Sequence, residues 1–139
     1  VSLHLDLTNY LEASMLKFAL RASAFLCLLA LLGFAWLQIN DPDPVLWTGY
    51  YLLCALVPLL VMFNRFHRPL FWLMTAITLV VIAIYVPGTI EYLRHANTEP
   101  LMQSMNPEKP YIEEAREFIG GAITLAILLI SRLLHHWGK

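Results

Sequence analysis

The chain has 139 residues, of which 59% are hydrophobic and 14% charged, with a formal net charge of -1. Soluble domains run nearer 45–50% apolar and about 25% charged. The composition therefore excludes an ordinary water-soluble domain and points to lipid, with no nucleic-acid partner, and the length suits one integral membrane domain over residues 1–139.

In chain order, residues 1–14 come first. Asn9 and Glu12 have the spacing of a capping box. Leu3, Leu5, Leu7, Tyr10 and Leu11 make the segment amphipathic, suited either to a membrane surface or to a partner. Met15, Lys17 and Arg21 then lead into an apolar run over residues 18–37. No A-x-A cleavage site follows it, so the run reads as a retained signal-anchor helix. Arg21 near its edge can snorkel to the headgroups.

The first connection is Gln38-Ile39-Asn40-Asp41-Pro42-Asp43-Pro44. A residue before proline avoids the α region, so two Asp-Pro steps block helix continuation and predict a tight hairpin. Asp43 suits the N-cap of the next helix, with Pro44 at its first position. The second apolar run covers residues 45–63, with Pro58 as a candidate kink. Asn64 to Pro69 is short and basic, with His67 expected in solvent. The third run covers residues 70–90.

The following segment, residues 91–117, is too long for a plain turn and predicts an outer loop with a binding or partner role. Pro100, Pro107 and Pro110 break it up, with Leu101, Met102 and Met105 between them. The fourth helix is expected to start near Pro110-Tyr111, before the last apolar run over residues 118–134. Glu113 and Glu114 near its start suit the helix dipole. Glu113 and Glu117 share a face, with Arg116 beside them.

A span needs about 20 mainly apolar residues. The fold expected is all-α, a bundle of four transmembrane helices. Lys17, Arg21, Arg65, Arg68, Arg132 and Lys139 fall on one side of the membrane, against Arg94, Lys109 and Arg116 on the other. The basic side is read as cytoplasmic, which puts both termini inside and, in a bacterium, the chain in the inner membrane. Trp36, Trp47, Tyr50, Tyr51 and Tyr85 are expected in one interfacial belt, and Phe66, Phe71, Trp72 and Trp137 in the other.

Asn40, Asp41, Asp43 and Trp47 of the hairpin, with Glu113, Glu114, Arg116 and Glu117, are the candidate structural or interaction residues at the outer rim. The favoured use is a hydrogen-bonded ionic lock, with Arg116 toward Asp41 or Asp43. The alternative is a cation or small ligand held by Asp41, Asp43, Glu113 and Glu117.

Chemistry inside the bilayer needs polar groups at depth. Thr75, Thr78, Thr124, Cys27 and Cys54 are the main mildly polar residues there, and all five histidines lie in loops or near interfaces. No metal, haem, disulfide or other cofactor is expected, and no catalytic residue. Ala22, Ala30 and Gly33 in the first span, and Gly120-Gly121-Ala122 in the fourth, are candidates for close helix packing.

Two motifs carry a family resemblance. Leu37-Gln38-Ile39-Asn40-Asp41-Pro42-Asp43-Pro44 with Trp47 and Tyr50 resembles the opening hairpin of the transmembrane protein 220 family. Pro110-Tyr111-Ile112-Glu113-Glu114-Ala115-Arg116-Glu117, leading into Gly120, resembles that family's last-helix motif. The resemblance runs from the first helix to the fourth. It implies a small multi-helix membrane protein, of a family with no established biochemical activity and no catalytic residues to carry over. The function expected is a non-catalytic accessory or scaffold subunit, its partners being the lipid bilayer and other integral membrane subunits.

Overall fold

The computed structural model describes residues 1–40, 43–104 and 106–139. Among them the secondary structure is entirely helical: α1 Ser2–Leu37, a 3-10 turn Gln38–Asn40, α2 Pro44–Met62, α3 Arg68–His95 and α4 Pro110–Trp137. All four long helices are long and apolar enough to cross a membrane. Large apolar side chains such as Phe18, Leu26, Val80 and Ile84 face outward along them. Water would penalise that surface, whereas hydrocarbon does not.

The sequence has no apolar face to choose in these runs, and the register is where structure and expectation part. In α1 the buried residues are Ala24, Leu31 and Ala35. Ala22 and Ala30 are exposed, and nothing described lies within 4 Å of a Cβ built on Gly33. The small residues of α1 expected in close contact are therefore not packed within the described chain. Gly121 in α4 meets the expectation: a Cβ there would stand 3.0 Å from Ile82 Cγ1 of α3.

The chain falls into two compact units, Val1–Phe71 with Ile127–Lys139, and Trp72–Ala126. In the first, α1 and α2 form an antiparallel hairpin. At one end the Thr48 hydroxyl donates to the Ala35 carbonyl at 3.5 Å, and Phe34 packs on Tyr51 with ring centroids 5.5 Å apart. At the other, Ala24, Val61 and Leu134 of α4 form an apolar cluster with Leu20, Met62 and Phe66 against it. Tyr51 is only 2% exposed and Tyr50 and Phe71 are also buried. These three rings pack against other side chains inside the protein, Tyr50 on Tyr51 with centroids 5.0 Å apart and Phe71 on Phe66 at 5.2 Å.

The α2–α3 connection is built from two end caps. Asn64 has φ 59, and the Asn64 and Arg65 amides donate back to Val61 and Leu60 carbonyls at 2.9 Å each. This is a left-handed cap closing α2, a conformation asparagine tolerates better than most residues. His67 then caps α3: its Nδ1 accepts from the Leu70 amide at 3.1 Å. His67 is exposed in the loop, as expected, and has a task there as well, since the first amides of a helix need acceptors and the ring supplies one.

In the second unit α3 and the first part of α4 run antiparallel, with Gly88 against Glu114 and Gly121 against Ile82. The Thr124 hydroxyl is served within its own helix, donating to the Gly120 carbonyl at 2.7 Å, whereas the buried Thr75 hydroxyl of α3 has no hydrogen-bond partner among the described residues. In the first unit Ser131, buried and unremarked in the sequence, likewise donates to the Ile127 carbonyl at 2.8 Å.

Candidate functional site

The candidate residues divide between the two units. In the first, Asn40 ends the 3-10 turn and is exposed. Asp43 is the N-cap of α2 with Pro44 following, as its position predicts, yet its side chain makes no capping hydrogen bond. The first turn is held through its carbonyl, which accepts from the Trp47 amide at 3.3 Å. Trp47 stands against Tyr50 and Tyr51, with centroids 6.0 and 6.4 Å away. Asp41, expected in the lock and in the cation site, and Pro42 lie outside the described residues, as does Met105 of the loop.

In the second unit α4 begins at Pro110, with Glu113 in its first turn. Glu114 lies over Gly88 of α3, where any side chain would overlap it. Glu117 is only 9% exposed, and both Glu113 and Glu117 have interaction partners. Arg116 donates to the Gln103 carbonyl at 3.0 Å. The arginine expected to pair with a hairpin aspartate thus serves the loop of its own unit. Among the described residues no three of His, Cys, Asp or Glu come together in a way that could hold a metal ion.

The loop is organised by residues the sequence reading did not single out. Lys109 pairs with Glu99, and the Gln103 amide donates to Glu99 at 3.2 Å and to the Pro100 carbonyl at 2.6 Å. The Tyr92 hydroxyl donates to the Glu99 carbonyl at 3.1 Å. His95 stacks on Tyr111 with centroids 4.7 Å apart, joining the end of α3 to the start of α4. The Asn106 side chain accepts from the Glu108 amide at 3.0 Å and turns the chain into Lys109. Opposite charges at Glu99 and Lys109, bracketing a proline-broken stretch, were the available signal.

Electrostatics follow from this geometry. The hydrogen bonds from Lys109 and Gln103 hold the Glu99 carboxyl below the ordinary carboxylate range. The same contact raises the Lys109 ammonium above the usual lysine range. The arrangement fastens residues 96–109 across the ends of α3 and α4, and so fixes where Glu113, Glu114 and Glu117 stand.

The family model described as transmembrane family 220, helix, matches residues 16–133. No curated protein and no solved structure matches the chain.

Proposed function

The chain belongs to transmembrane family 220, and from that membership we propose that it works without catalysis of its own, as a small accessory or scaffold subunit of a larger assembly in a bacterial inner membrane, both termini cytoplasmic. One observation carries this reading. The helix α1 is a single element of 36 residues, about 54 Å long at 1.5 Å per residue, against about 30 Å of hydrocarbon. It holds neither proline nor glycine before Gly33, the usual causes of a kink.

Its first turns therefore continue along the axis of the span and stand clear of the hydrocarbon, where a bent helix would lie on the bilayer surface. They carry Leu3, Leu7, Tyr10 and Leu11 on one face, with Leu3 81% and Tyr10 70% exposed. An apolar stripe held away from lipid needs a protein to cover it. These turns precede the residues that the family model matches, which suits a partner particular to this chain. The Asn9–Glu12 capping box is overruled here: α1 starts at Ser2 and passes through both.

The test is native purification through a tag on this chain in mild detergent. A stoichiometric membrane partner is expected, and Leu7→Ser with Leu11→Ser should release it while leaving the chain in the membrane. Migration of the wild type as a free monomer would sink the reading.

A further inference from the structure

The first unit encloses a cavity of about 110 Å³ where α1 enters its span, α2 ends and α4 makes its last turn. Its polar lining is Lys17, Arg21, Asn64 and His135, and no acidic side chain is among the described lining residues. Lys17 and Arg21 are four positions apart on α1 and share a face. Among the described residues neither has a hydrogen-bond or ion-pair partner. The left-handed turn at Asn64 sets that residue at the cavity's edge.

His135 forms one wall of the cavity. Its ring is stacked on Phe66, with centroids 5.1 Å apart and planes at 18°. Its Nδ1 is buried and has no hydrogen-bond partner, a desolvated polar atom that costs stability unless something answers it. Arg68 and Lys139 add positive charge around the same ring. Lys17 and Arg21 stand at the start of the apolar run over residues 18–37, where long basic side chains reach the headgroups.

We propose that this cavity binds a phosphate group, presented by the headgroup of an anionic phospholipid. Lys17 and Arg21 pair with the phosphate oxygens, the Asn64 side-chain amide donates to them, and the His135 ring, stacked on Phe66, forms the wall behind them. The size fits, since a water needs only about 10–15 Å³ of such space and the cavity's 110 Å³ admits a group larger than one water. Basic pockets between transmembrane helices are the usual seat of such headgroups. The site is separate from the exposed stripe on which the accessory role rests, so either can fail alone.

The full chain in uncharged detergent is titrated with short-chain phosphatidylglycerol, with short-chain phosphatidylcholine and with inorganic phosphate, reading the Tm and the lipid retained in native mass spectrometry. Phosphatidylglycerol should raise the Tm and be retained in preference to phosphatidylcholine. Lys17→Gln with Arg21→Gln should weaken its binding about 30-fold at low salt. Asn64→Gly, which keeps the left-handed turn and removes the amide, should weaken it too, and Arg65→Gln, outside the cavity, should leave it unchanged. An equal shift from inorganic phosphate would keep the site and make free phosphate its ligand. Equal retention of both lipids with no response to phosphate would overturn the proposal, as would an Arg65→Gln loss matching that of the double variant.

Discussion

Gly88 and Gly33 show what one missing methyl group decides. A Cβ on Gly88 would overlap the Glu114 carboxylate and press on its Cβ as well, so turning the end of the glutamate does not clear it. Overpacking of this kind costs about 1–3 kcal/mol, more than the roughly 1 kcal/mol that alanine gains over glycine in a helix. Gly88→Ala should therefore lower stability in a detergent unfolding titration. Gly33→Ala, with nothing described within 4 Å, should raise it by up to about 1 kcal/mol. A stabilising Gly88→Ala would show that α3 and α4 do not approach there. No hydropathy pattern distinguishes these two glycines, because the difference is made by a neighbour distant in sequence.

Among the elements, the loop over residues 96–109 depends most on charge. Glu99 has its carboxyl lowered in the fold, so its contribution is complete above the ordinary carboxylate pKa and is lost as pH falls through the lowered value. Lys109 is raised, so its contribution is complete below the ordinary lysine pKa and fades as pH climbs through the raised one. The tether should hold across the whole neutral range and loosen at both extremes. Hydrogen exchange of the loop amides should be flat between mildly acidic and mildly alkaline conditions, after allowance for the intrinsic rates. Lys109→Met should speed loop exchange at neutral pH, and its effect should persist at high salt, since the pair is partly buried and poorly screened. Exchange unchanged by Lys109→Met would remove the pair from any role in ordering the loop.

For the whole molecule, the charge bias makes a statement about topology that reporter fusions can check. Alkaline phosphatase joined within residues 96–109 should be active and a fluorescent protein after Lys139 should glow, if the end bearing Lys17, Arg65 and Arg68 is cytoplasmic. The opposite pattern would invert the chain. It would also move the phosphate cavity to the other leaflet without abolishing it, since Lys17, Arg21, Asn64 and His135 line it together whichever way the chain inserts.

The sequence by itself determined four apolar helices, their ends near Leu37, Pro44 and Pro110, and the family, because bilayer thickness and proline geometry act on short stretches of chain and leave their marks locally. Tertiary structure alone decided which face of each helix is inside. It buried Ala24 and Ala35 instead of Ala22 and Ala30, drew Tyr50, Tyr51 and Phe71 inward, set Glu114 over Gly88, and gathered Lys17, Arg21, Asn64 and His135 around one cavity. The physical reason lies in the solvent: a helix apolar all round pays no penalty in lipid for any rotation, so its register is set by packing against neighbours that the local sequence does not contain.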